Sequence, residues 1–388
     1  MKLVRVIVFV VVVSLAISSC AGRFNVSARE AGETVRPWAV VRGDCAGLAY
    51  SGEGSGKAEI MWYSNTKIPI IAGPVAGDGV IFVPVPNRRV IAFDAESGKR
   101  LGRLWIEVLP NNGLALGDGL LALSGRSDFN RLRVYDYRSG DFLWENTSDR
   151  AFAAPIFCGD ALYYTTAKGA VFSIDARTGE RNWRTEISGA VIEYEPAFRD
   201  SLLYIADSNK RLVAMTADSG AVRWTVNLAS PPCGQPVVIP DHVIVPTSSG
   251  KIYAVLLDGS IRLTIDSPGE MGAGIACSGP TVFGVTTQGV VFAGDLGQGG
   301  IYWQTNLNTP VIAPPVLWGK QVAVVTAEGE LKLLYYSDGA VESDIDLGSP
   351  VSAPPIIYNN KLYIATEKGE LIAITRNYKK AEEEDGSN

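Results

Sequence analysis

The chain has 388 residues, 35 Lys plus Arg against 41 Asp plus Glu, a net charge of −6 and a single histidine, His242. An acidic chain without a basic patch is a poor phosphate binder, which argues against nucleic-acid recognition, and one imidazole excludes a His-rich metal site. The 41 Gly and 21 Pro argue against a helical bundle.

Lys2 and Arg5 precede an apolar run from Val6 to Ile17. Twelve residues of helix span about 18 Å, too short for a bilayer core of about 30 Å, so residues 1–19 read as a secretory signal. The run ends in Ile17-Ser18-Ser19-Cys20, which resembles a bacterial lipobox. That resemblance implies a fatty-acylated Cys20 as the mature N-terminus, and Ala21 after it is similar to outer-membrane sorting. Residues 20–37 are small, polar and charged, and read as a tether.

From residue 38 the chain repeats. Gly140, Gly179, Gly220, Gly259, Gly299 and Gly339 recur every 39 to 41 residues, and a tryptophan commonly follows four positions later. Trp62, Trp105, Trp144, Trp183, Trp224 and Trp303 form this series, with Trp105 displaced from Gly98 by a small insertion. Leu263 and Ser343 stand at the position in two units. Each unit holds short β-branched or aromatic segments separated by Gly, Asp or Asn turns, as in Leu162–Thr166, Ala170–Asp175 and Trp183–Thr185. Four short strands per forty residues predict propeller blades. The units start near Pro74, Leu114, Pro155, Pro196, Pro236, Gly274, Pro315 and Pro355. The last lacks a fourth strand, and Glu59–Trp62 is a fourth strand without three before it. The expectation is an all-β, eight-bladed propeller over residues 38–376, closed by its N-terminal strand, then a disordered acidic tail over 377–388. Each tryptophan is expected to dock on a turn glycine of the next blade.

Cys45, Cys158, Cys233 and Cys277 have no CxxC spacing, so zinc is not expected. They read as small buried hydrophobes, with one or two bridges left open. Glu193 and Glu195 are the tightest carboxylate pair at a blade entrance and read as a solvated rim. His242 reads as an exposed residue of the turn between the first two strands of blade 5.

The segments Ala92-Phe93-Asp94-Ala95-Glu96-Ser97-Gly98 and Ser173-Ile174-Asp175-Ala176-Arg177-Thr178-Gly179 resemble the PQQ-type propeller repeat, roughly A-x-D-x-x-T-G-x-x-x-W. Val134–Trp144, Ala214–Trp224 and Ala293–Trp303 are similar. The resemblance implies one of two functional classes. Quinoprotein dehydrogenases hold pyrroloquinoline quinone and Ca²⁺ in the propeller centre and resemble one another in a vicinal Cys-Cys pair, which this chain lacks. The second class is non-enzymatic outer-membrane lipoproteins of β-barrel assembly, which bind no quinone. Bare blades and a lipobox fit the second. The implied protein is a cofactor-free scaffold, anchored to the membrane through lipid on Cys20 and facing the periplasm from the outer membrane. Its partners would be proteins, in particular the barrel-assembly subunit. A lipoprotein that binds a glycan or another protein is the alternative, and a quinone enzyme the third reading. The interblade segments holding Pro231, Pro232, Pro310, Pro314, Pro350 and Pro354 are the candidate partner rim.

Overall fold

The computed structural model describes residues 44, 50–51, 56–70, 72–107, 109–125, 132–147, 151–311, 313–351 and 353–377. Cys20, Cys45, the signal, the tether and residues 378–388 of the acidic tail lie outside them; Asn377, expected to open that tail, instead ends a strand and pairs with Lys57. Among the described residues no helix is long and apolar enough to cross a membrane.

Eight antiparallel sheets form a ring of blades. The innermost strands are Val75–Gly77, Pro110–Leu116, Ile156–Cys158, Ala197–Arg199, Val237–Val238, Ala276–Ser278, Val316–Trp318 and Ile356–Tyr358. Seven blades are continuous in sequence. Blade 8 takes its outer strand from the N-terminal side: β2 (Lys57–Asn65) pairs with Glu370–Asn377, as expected. One strand was not expected. β1 (Tyr50–Ser51) lies parallel to the innermost strand of blade 7 and makes that sheet five-stranded.

Burial explains the sequence pattern of the strands. The second and third strands of a blade face neighbours on both sides and read as continuous apolar runs, as in Val80–Val85 and Ala170–Asp175. Outer strands meet water and alternate, as in Arg181–Glu186. Middle-strand side chains such as Phe82, Phe172, Phe283 and Tyr363 are fully buried.

In all eight blades the pairing of the outer strand to the third strand shifts register, for example between Ser173 and Ile174 and between Ala293 and Gly294. The extra residue sits just before the tryptophan position. A β-bulge there raises local twist and re-aims the side chain that follows. The bulge thereby points each indole at the next blade.

Two faces of the ring follow from strand direction. One carries the crossings between blades and the second-to-third-strand turns. The other carries the remaining hairpin turns.

Candidate functional site

The seams between blades absorb most of the conspicuous aromatic residues. Trp144, Trp183, Trp224 and Trp303 cover Gly179, Gly220, Gly259 and Gly339 of the following blade, and Trp62 of blade 8 covers Gly98 of blade 1. These glycines have φ between 68° and 93°, a left-handed conformation that also leaves room for the ring. The indole nitrogens of Trp144, Trp183, Trp224 and Trp303 donate to Ala176, Ala217, Leu257 and Tyr336 carbonyls at 2.8–3.0 Å. Trp62 Nε1 is buried without an acceptor among the described residues. There the equivalent carbonyl, Ala95 O, takes the Tyr363 hydroxyl at 3.0 Å.

Trp105 does not belong to this set. Gly102 pairs with Ala92 just as Trp183 pairs with Ser173, so Gly102 is the docking position of blade 1 and there is no insertion. Trp105 lies three residues further along, opposite Arg89, whose guanidinium sits 5.1 Å from its ring centre. It is 49% exposed. Without an indole, the seam between blades 1 and 2 is joined by polar groups. Buried Arg133 donates to Glu107 (2.9 Å), Glu145 (2.9 Å) and Tyr135 Oη (3.1 Å), and Tyr135 Oη donates to Ile106 O (3.3 Å). Tyr137 donates to Asp78 at 2.8 Å, and Arg138 pairs with the same carboxylate. Burial, with this bond to an anion second, pushes the Tyr137 phenol well above its usual range.

The seam between blades 7 and 8 has no indole at the docking position, where Ser343 stands. Blade 8 has no third-to-outer turn on which a ring could dock, because β2 and Glu370–Asn377 are not joined. Arg376 fills the place. It lies 4.1 Å over the Trp318 ring, donates to Gln321 Oε1 at 2.7 Å and also to Trp318 O.

The ring centre does not suit a quinone and Ca²⁺. Ca²⁺ requires six to eight oxygens, mainly carboxylates and carbonyls. None of the eight innermost strands contains Asp or Glu, and β1 lies against one of them. Among the described residues, no three His, Cys, Asp or Glu side chains are placed to share a metal ion.

The crossing face holds the proline rim. Pro310 and Pro350 are exposed, Pro231, Pro314 and Pro354 are half-buried, and Pro232 is buried. The carbonyls of Pro231, Pro310 and Pro350 accept from Ser248, Ala327 and Glu367 at 2.9 Å, which ties each crossing to the blade it enters. Beside these turns Thr166, Thr247, Thr286, Thr326 and Thr366 occupy one repeated position. Four of their hydroxyls accept from the turn backbone at 3.0–3.1 Å, and Thr247 Oγ1 donates to Lys251 O at 2.7 Å.

Blade 4 departs from this pattern. Asp207 replaces the threonine and its side chain is 0% exposed. It accepts from Arg211 Nε (2.7 Å), Val191 N (2.9 Å) and Asn209 N (3.0 Å). Arg211 and Asn209 also bond the Ser188 and Gly189 carbonyls, and Ser208 bonds Glu193. The crossing into blade 4 is therefore held by charge and leaves Val191 exposed. Glu193 is exposed and Glu195 half-buried. Between them, burial pushes the Tyr194 phenol up to about 12.

His242 is not an exposed turn residue. It opens the second strand of blade 5, is half-buried, and its Nε2 is buried without a partner among the described residues. Its backbone exchanges hydrogen bonds with Ile239, so the tight turn draws the ring inward. Cys158, Cys233 and Cys277 are not in disulfides, the last two being buried and Cys158 half-buried. Burial pushes the Cys233 thiol up to about 12. Because the thiolate is the reactive form, Cys233 should stay unalkylated by iodoacetamide at pH 8 in the folded protein and react fully in guanidinium. Mass spectrometry of each cysteine-containing peptide checks this.

The family model described as outer membrane protein assembly factor BamB matches residues 86–232, 187–262, 259–342 and 287–381. A curated relative, the outer membrane protein assembly factor BamB of Yersinia pestis, is 24% identical over 241 residues, covering 57% of this chain and 60% of that protein. The first three curated relatives are matched over 51–60% of their own lengths. The crystal structure of BamB from Moraxella catarrhalis superposes with a TM-score of 0.69 at 18% identity, over 82% of this chain and 98% of that one. Quinohemoprotein alcohol dehydrogenase from Comamonas testosteroni gives 0.72 at 13% identity, over 87% and 80%. At these identities the two structures share the fold alone. The family model, in contrast, spans most of the ring, and the chain belongs to the family of the outer membrane protein assembly factor BamB.

Proposed function

We propose that this chain is a non-enzymatic scaffold of outer-membrane β-barrel assembly, anchored through lipid on Cys20 and facing the periplasm. The barrel-assembly subunit is the partner it would hold. The observation that carries this reading is the match of the BamB family model from residue 86 to residue 381. The carboxylate-free inner strands support it further, since they offer Ca²⁺ little purchase. The docking surface is the crossing face, where Pro310, Pro350 and Val191 stand exposed on segments hydrogen-bonded to the blades beneath. Such pre-organised apolar points lower the entropic cost of binding.

Native protein extracted in mild detergent is expected to bring down the barrel-assembly subunit. Its absence, with a glycan or a different protein recovered instead, overturns the assignment. Cys20→Ala is expected to move the protein from the membrane fraction to the soluble periplasm; retention in the membrane fraction overturns the anchor.

A further inference from the structure

The centre of the ring is reached by a strand of the chain itself. β1 adds to the open inner edge of Val316–Trp318, with Tyr50 opposite Leu317 and Ser51 opposite Trp318. It also lies beside the innermost strands of blades 6 and 8. A strand on the inner side of an innermost strand can only be in the central channel.

Its direction follows from the pairing. The innermost strand of blade 7 runs from the crossing at Pro315 to the hairpin at Gly319 and Lys320, on the opposite face. β1 is parallel to it, so it too runs from the crossing face toward the hairpin face. β2 then starts on the hairpin face at Lys57, opposite Asn377, and runs back to the crossing face.

We propose that β1 is a strap seated in the central channel of the ring. It seals the channel in cis, adding its backbone to blades 6–8 where a small ligand would otherwise enter. The sealing does not depend on the function proposed above, because it rests on strand pairing alone.

Hydrogen exchange followed by mass spectrometry tests it on the full chain, both lipidated and as Cys20→Ala. Residues 316–320 are expected to exchange at least about tenfold more slowly than the equivalent residues 156–160 of blade 3, whose inner edge carries no further strand. In Tyr50→Pro/Ser51→Pro, which removes both β1 amides, that protection should fall to the blade 3 level while the outer strands stay protected. A photocrosslinker, benzoylphenylalanine, at position 50 should mark peptides from residues 276–278, 316–318 and 356–358. Equal exchange of the two inner edges, or crosslinks to outer strands, overturns the strap. Identical results with and without lipid separate the strap from the anchoring reading.

Discussion

Gly339→Ala is expected to lower the melting temperature far more than Gly299→Ala, although both glycines occupy the same turn of adjacent blades. Gly339 has φ +72° and an added Cβ would stand 2.3 Å from Trp303 Cε3. Gly299 has φ +84° and nothing within 4 Å, and the docking position of the preceding blade holds Leu263 rather than an indole. Both substitutions carry the left-handed backbone cost, about 1–2 kcal/mol. Only Gly339→Ala must also displace a packed indole, which overpacking studies put at about 1–3 kcal/mol. Complete loss of the Trp303 packing, tested by Trp303→Ala, sets an upper limit near 3–5 kcal/mol. Denaturant titration should therefore separate the two alanine variants by about 2 kcal/mol. Equal destabilisation would show that the indole contributes nothing specific at the seam.

Asp207→Ala is the second large effect. Its carboxylate is fully buried and satisfies Arg211, Val191 N–H and Asn209 N–H together. Removing one partner of a buried pair costs about 3–5 kcal/mol, mostly because the other charge is left without compensation. Arg211 keeps a quarter of its surface, so the lower end of that range applies. The double variant Asp207→Ala/Arg211→Ala should be more stable than the sum of the two single costs predicts. Exchange of the Val191 amide should accelerate together with the rest of the crossing 188–195. Strictly additive costs, or an unchanged Val191 amide, would mean that the pair does not hold the crossing.

The ring was legible because its turn glycines must recur. Each blade presents the same face to its neighbour, so Gly179, Gly220, Gly259 and Gly339 meet the same steric demand. Ring closure was legible for a similar reason, since a lone fourth strand and a three-stranded unit each leave an unpaired edge. Trp105 stands near the expected spacing but three residues beyond the docking position, which is Gly102, four residues after Gly98. Asp207 carried a signal that went unread. It is the acidic exception in the column of Thr166, Thr247, Thr286, Thr326 and Thr366. β1 had no signal to read, because two residues are too short for periodicity. Arg133 and Arg376 became meaningful only through the seams they fill, which depend on neighbours distant in sequence.

The closure of blade 8 constrains how the molecule comes into being. Thr66 and Gly369, 303 residues apart, are hydrogen-bonded neighbours, while the other seven blades pair four strands that follow one another in sequence. A polypeptide emerging N-terminus first can build blades 1 to 7 as it appears, but β2 must wait for the last strand to arrive. Until then blade 8 is unfinished and the nascent ring offers an adhesive margin at each end. The time spent with blade 8 unfinished and chaperone occupancy, rather than final stability, should govern how many copies reach the closed form.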